Sequence, residues 1–208
     1  MNSFDGIAPY YGSVARLVYG DAIHHAQCFF LNKLDTNDKV LLLGGGTGDL
    51  LVDLNTLSLN LEVDYLDSSE KMTAIAKSKK QLDLKVNFHT LRFQDFKPTK
   101  KYDVVMVPFF LDCLKADELP AVISKIAQML KPRGSLLVSD FQIHKDSLWQ
   151  KMMSDAMHLF FQVFSHLESD KLQDINQAVS KGGFESIEKQ TFYRNFIFSA
   201  HYKLVSTL

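Results

Sequence analysis

Four glycines within five positions, Gly44, Gly45, Gly46 and Gly48, are the residues of this chain best suited to hold a ligand. They fall in the run Lys39-Val40-Leu41-Leu42-Leu43-Gly44-Gly45-Gly46-Thr47-Gly48-Asp49-Leu50. Glycine lets the backbone take φ > 0 and approach a ligand with no Cβ in the way. Val40 to Leu43 read as a strand buried on both faces, as in a parallel sheet. Leu50, Leu51, Leu54 and Leu57 then recur at helical spacing. Strand, glycine turn and helix open a nucleotide-binding α/β unit; a tight turn with no ligand is the plainer alternative. The next strand reads from Leu61 to Leu66, with Asp67 at its carboxyl end. That is close to the offset of about 20 residues at which an acidic side chain meets ribose hydroxyls. An ionised carboxylate accepts both hydroxyl protons, and charge-assisted bonds of this kind are strong.

The spacing separates two classes of ligand. In a dinucleotide fingerprint, G-x-G-x-x-G counted from Gly44, the last glycine falls on Asp49. An acidic residue at the start of that helix repels a pyrophosphate. The chain instead reads G-x-G-x-G across Gly44, Gly46 and Gly48. Here it resembles the class I S-adenosylmethionine-dependent methyltransferases, whose first motif is a strand ending in G-x-G-x-G. Their cofactor is cationic at sulfur and has no phosphate, so Asp49 is tolerable. Asp67-Ser68-Ser69-Glu70-Lys71-Met72 matches the family pattern D-x-S-x-x-M. The resemblance implies Asp67 on the ribose, Ser68 beside it and Met72 near the adenine. Read from the residues alone, Ser68 or Ser69 is also a cap for a helix reaching about Lys80. Lys85 to Thr90 reads as a third strand. The acidic residue that often follows it in the family is replaced by Leu91 or Arg92, which leaves backbone groups near Leu91 for the adenine. Lys101-Tyr102-Asp103-Val104-Val105-Met106-Val107-Pro108 resembles the fourth motif, with Asp103 a turn residue and the loop Pro108-Phe109-Phe110 facing the cofactor. One departure stands out: Leu42 occupies the place of the usual acidic residue.

The later landmarks keep the same order. Asp117 is expected as an N-cap, with Pro120 in the first turn. Leu119, Val122, Ile123, Ile126, Ala127 and Leu130 form one apolar stripe. Leu130-Lys131-Pro132-Arg133-Gly134 resembles the family's L-K-P-G-G turn, with Gly134 expected to take the positive φ, followed by a strand over Ser135 to Ser139. Lys181-Gly182-Gly183-Phe184 resembles the turn into the family's closing β-hairpin. The alternation from Phe192 to Phe198 predicts strand. The fold expected is α/β: a Rossmann-like, seven-stranded, mostly parallel sheet with helices on both faces and a C-terminal antiparallel β-hairpin. A single domain is expected over 1–208. It comprises an N-terminal helical lid (1–37), a cofactor-binding core (38–140), a helical insert (141–181) and the hairpin (182–208).

Composition narrows the partners. The chain has 208 residues, 46% of them hydrophobic, and a formal net charge of −1. That is enough for one substantial core, and it offers no basic surface for nucleic acid. No run approaches the ~20 apolar residues of a membrane helix. The start does not read as a signal peptide. The two cysteines, Cys28 and Cys113, give no disulfide framework, so a cytoplasmic protein is expected. Neither H-E-x-x-H nor paired Cys-x-x-Cys spacing occurs, so no metal is expected. Val14, Leu17 and Val18, then Ile23, Ala26, Phe29 and Phe30, suggest two amphipathic helices broken near Gly20-Asp21. Phe4-Asp5-Gly6-Ile7-Ala8-Pro9-Tyr10-Tyr11 resembles the start of the ubiquinone/menaquinone biosynthesis methyltransferases, which implies that Tyr11 reaches the cofactor. The large apolar residues from Trp149 to Leu167 are extra core, an apolar acceptor pocket or a homodimer surface. His24, His25 and His144 are either near the active site or ordinary surface histidines.

Together these readings predict S-adenosylmethionine as cofactor, S-adenosylhomocysteine as product, and methyl transfer to a small, partly apolar acceptor. The cofactor residues expected are Tyr11, Gly44, Gly45, Gly46, Thr47, Gly48, Asp67, Ser68, Met72, Leu91, Val107, Pro108 and Phe109. Such a reaction needs positioning more than side-chain chemistry, so the residues name no catalyst. The rivals are a nicotinamide-dependent oxidoreductase, a non-catalytic cofactor-binding module and an aminopropyl transferase of the spermidine-synthase kind.

Overall fold

The computed structural model describes residues 19–79, 83–142, 149 and 174–205. Helix α1 (Ala22–Cys28) and a 3-10 turn (Leu31–Lys33) precede the sheet. Then follow β1 (Lys39–Leu43), α2 (Asp49–Thr56), β2 (Glu62–Asp67), α3 (Glu70–Lys77) and β3 (Lys85–Thr90). Next come β4 (Tyr102–Pro108), a 3-10 turn (Leu111–Cys113), α4 (Leu119–Met129) and β5 (Leu130–Phe141). The chain closes with α5 (Ile175–Lys181), β6 (Phe184–Phe192) and β7 (Ile197–Leu204).

The seven strands form one sheet in the order β3-β2-β1-β4-β5-β7-β6. Strands β1 to β5 pair in parallel, while β7 runs antiparallel to both β5 and β6. The period of two along β1 explains the layering. Leu41 and Leu43 join the core under α4 and α5, with Ile123, Ile126 and Val179. Val40 and Leu42 join the core on the other face, with Leu50, Leu51 and Leu54 of α2 and Phe30. Leu42 is thus wholly buried; an acidic residue there would need a partner in that core.

Four local expectations give way. The positive φ in the turn before the paired part of β5 belongs to Arg133 (60°), not Gly134. Gly134 is needed for space instead: a Cβ there would lie 2.9 Å from Leu130 and from the Lys131 carbonyl. The cap of α4 is Glu118, not Asp117, and it makes no side-chain cap bond. Its carboxylate accepts from the Lys115 N–H. The alternating run Phe192 to Phe198 is strand only at Phe192, Ile197 and Phe198; between them lies the hairpin bend, where Tyr193, Arg194 and Asn195 all take positive φ. Their neighbours Phe192 and Phe196 turn into an aromatic cluster with Tyr19, Phe141 and Trp149. Helix α3 stops at Lys77, short of Lys80, which lies outside the described residues. Tyr11, His144 and, of the apolar run Trp149 to Leu167, all but Trp149 lie outside them too; of the expected insert 141–181, residues 141, 142, 149 and 174–181 are described.

Candidate functional site

The sheet changes direction of growth between β1 and β4. From β1 it extends through β2 to β3 on one side, and β4 starts the other side. A ligand in such a sheet sits outside the carboxyl ends of the strands at this switch point. The glycine run follows β1 there. Gly44, Gly46 and Gly48 all take positive φ, at 63°, 55° and 76°, which side-chain-bearing residues adopt at a cost. Gly45 and Gly48 are glycines for a second reason. A Cβ on Gly45 would lie 2.1 Å from the Tyr65 ring, and one on Gly48 would lie 2.7 Å from the Ala76 Cβ of α3. Gly46 alone faces space, with nothing within 4 Å of its Cβ position.

Asp67 ends β2 beside this loop. Its Oδ2 accepts from the Gly46 N–H at 2.8 Å and its Oδ1 from the Ser69 N–H at 2.8 Å. An ionised carboxylate offers about four acceptor sites, the chemistry a vicinal diol needs. Ser69 also caps α3, accepting from the Met72 N–H at 3.1 Å. Met72 is buried. Ser68 lies between Asp67 and this cap, half-buried. Thr47 donates to Asp49 at 2.7 Å, and Lys79 pairs with the same carboxylate. Partial burial pushes the Asp49 carboxyl up, but Lys79 and Thr47 hold it below the ordinary range. The charge disfavouring pyrophosphate therefore persists, partly neutralised by Lys79.

The loop after β4 completes the crevice. Val107 and Pro108 are buried and pair with Val138 and Ser139 of β5. Phe109 takes φ 51° and donates its N–H to the Ser139 carbonyl at 2.7 Å. A bulky residue at positive φ is strain of the kind that gathers at functional sites. Phe110 packs on the glycine run, its ring 3.2 Å from the Cβ position of Gly44. The Leu91 N–H is already committed to the Asp67 carbonyl at 3.1 Å, so that donor does not serve an adenine.

Two residues of this site, Tyr65 and Asp140, escaped the sequence reading, whereas Phe110 was expected to face the cofactor. The phenol of Tyr65 donates to the Gly46 carbonyl, and burial, then the Asp67 charge, holds it protonated. Phe110 walls the loop. Asp140, wholly buried at the end of β5, accepts from the N–H groups of Leu111, Asp112 and Phe141 at 3.1, 3.3 and 2.8 Å. Burial and the nearby Asp112 charge push its carboxyl well above the ordinary range. The signals were present: Tyr65 and Asp67 share one face of β2, and an acidic residue ends the buried run Leu136 to Ser139. Of the histidines, His24 reaches Asp53 of α2 at 3.6 Å. Among the described residues, no helix is long and apolar enough to cross a membrane.

Known proteins agree with this geometry. The family model for a methyltransferase domain matches residues 40–134. The chain is 26% identical over 183 residues to the carboxy-S-adenosyl-L-methionine synthase of Nautilia profundicola, covering 79% of this chain and 77% of that protein. In fold it is similar to a chain of the Haloferax volcanii complex between the Trm112 methyltransferase activator and a methyltransferase. That match has a TM-score of 0.74 at 17% identity, covering 99% of both chains. It is similar also to the Burkholderia thailandensis 1,6-didemethyltoxoflavin-N1-methyltransferase, solved with that compound and S-adenosylhomocysteine bound. There the TM-score is 0.71 at 14% identity, covering 98% of this chain and 87% of the other. The family match and the relative support the resemblance to the class I S-adenosylmethionine-dependent methyltransferases, and the solved structures share the fold of this chain.

Proposed function

We propose that this chain is an S-adenosylmethionine-dependent methyltransferase that acts on a small, partly apolar molecule held over the carboxyl edge of the sheet. The observation that carries the reading is the pairing of Gly46 with Asp67 at the β1/β4 switch point. The open, Cβ-free approach at Gly46 and the negative charge of the Asp67 carboxylate suit an uncharged adenosine better than a diphosphate. The bound cofactor supplies a methyl already activated at a sulfonium centre. Asp67 accepts the ribose hydroxyls, and the glycine run admits the rest of the nucleoside against the backbone. Phe109 and Phe110 close the β4 side and exclude water. Orientation of this kind supplies ~7–11 kcal/mol of a barrier, and no general base is obligatory.

The acceptor class rests on what surrounds that edge. Tyr19, Phe141, Tyr193 and Phe196 cluster beside Phe109, whose ring lies 5.0 Å from Phe141. The net charge is −1, and phosphate binding would call for several Lys or Arg contacts with steep salt dependence. Methyl-labelled cofactor should therefore transfer label to a small-molecule fraction and not to RNA or DNA. Salt-sensitive labelling of nucleic acid would refute the acceptor class.

The N-terminal segment is proposed as a lid, with Tyr11 reaching the cofactor, on its resemblance alone. Tyr19 is buried, so a truncation should end at residue 17. It is expected to keep cooperative unfolding and to weaken cofactor binding, because a lid adds contacts and excludes water without belonging to the sheet. Unchanged affinity in a well-folded truncation would reduce the segment to packing.

A further inference from the structure

Among the described residues, one cluster of metal-ligating side chains lies outside the crevice. His24 and Cys28 stand four residues apart on α1, on one face of the helix. Asp53 comes to them from α2. The His24 Nε2 lies 3.6 Å from Asp53 Oδ1 and 3.8 Å from Cys28 Sγ. The ligand atoms of all three lie within 4.8 Å of one another. The edges of a tetrahedron with zinc-type bond lengths are about 3.4 Å for nitrogen–oxygen and about 3.6 Å for nitrogen–sulfur. The observed separations exceed these by only a few tenths of an ångström. Nitrogen, thiolate and carboxylate are also the donor set that zinc and its neighbours take.

A second observation points the same way. Asp53 Oδ2 is buried with no hydrogen-bond partner, and leaving a polar atom so placed is costly. The surroundings are acidic: Asp49 stands one turn earlier on α2 and is close enough to feel His24, and Lys79 answers only Asp49.

We propose that His24, Cys28 and Asp53 bind one divalent cation of the zinc class, with water as the fourth ligand, bracing α1 against α2. On binding, the thiol proton leaves to solvent and a metal–sulfur bond forms, with no change of oxidation state. Thiolate and carboxylate together balance the two positive charges. The sequence hides this site because no motif spacing links the helical pair to Asp53; only the packing of α1 on α2 does. The brace holds the helix that follows the glycine run. It stands whether or not the acceptor proposal does.

The test is titration of the metal-stripped, full-length chain with Co2+. One equivalent should produce a thiolate-to-cobalt charge-transfer band and the visible bands of a tetrahedral ion, and Zn2+ should abolish both. Cys28→Ser should lose the charge-transfer band, while Cys113→Ser keeps it. Asp53→Asn and His24→Ala should weaken binding by about tenfold or more, since even outlying supports of a metal matter on that scale. The His24 side chain is 48% exposed, so His24→Ala serves if the cysteine variant fails to fold. Zn2+ should raise the melting temperature of the parent chain and not of His24→Ala. No band at millimolar Co2+, the same band in Cys28→Ser, or equal affinity in His24→Ala would overturn the site.

Discussion

A Cβ on Gly45 would lie 2.1 Å from the Tyr65 ring, whereas one on Gly46 would meet nothing within 4 Å. These neighbours should therefore fail differently. Gly45→Ala must displace a buried tyrosine whose phenol is bonded to the same loop, at about 3 kcal/mol of overpacking. Gly46→Ala carries only the strain of an alanine at φ 55°, about 1–2 kcal/mol, but puts a methyl where the ligand approaches. Thermal melts with S-adenosylhomocysteine titrations separate the two. Gly45→Ala should lose more melting temperature, and Gly46→Ala should lose more affinity than stability. Equal losses on both axes would mean that the space at Gly46 is not the ligand's. At this scale the sequence announced the glycines but not their division of labour. Spacing says where a backbone must turn, and only packing says which turn also leaves room.

Among the elements, the loop after β4 depends most on one side chain. Asp140 fastens it through the N–H groups of Leu111 and Asp112, and holds that of Phe141. Asp140→Ala orphans buried donors at about 1–3 kcal/mol each. The expected loss by denaturant unfolding is about 3 kcal/mol or more, and Asp140→Asn, which keeps an acceptor oxygen, should lose less. An alanine variant as stable as the parent would release the loop from this role. The strands and helices themselves were legible. The bounds of β3 match the expected Lys85 to Thr90, and α4 carries the predicted apolar stripe from Leu119 to Ala127, while Leu130 opens β5. The hairpin bend was not legible, because Phe192 to Phe198 alternates like a strand while its backbone turns left-handed at Tyr193, Arg194 and Asn195. Nor was Arg133 at φ 60°, since glycine rather than arginine is the residue that ordinarily takes a positive φ.

For the molecule as a whole, one polar knot ties β2, β3 and β4 together. Asp64 accepts from Asn87, Lys100 and Tyr102. Burial pushes its carboxyl up, but these three donors outweigh it and hold the carboxyl below the ordinary range. A depressed acid contributes stability above its unfolded value of about 3.9 and loses it as the pH falls through the folded value. Asp64→Asn should therefore be less stable than the parent at neutral pH and converge on it in acid below about pH 4. A constant gap from pH 7 to pH 3 would contradict that assignment. The central claim, that the switch-point crevice receives an adenosyl sulfonium cofactor through Asp67, has its own direct measurement. Calorimetry should find S-adenosylmethionine and S-adenosylhomocysteine binding to the full chain, with NAD far weaker. Asp67→Ala should cost about 1.5–3 kcal/mol, roughly tenfold to a hundredfold in Kd. Tight NAD binding with none for either methionine nucleoside, or an Asp67→Ala variant of undiminished affinity, would contradict the account.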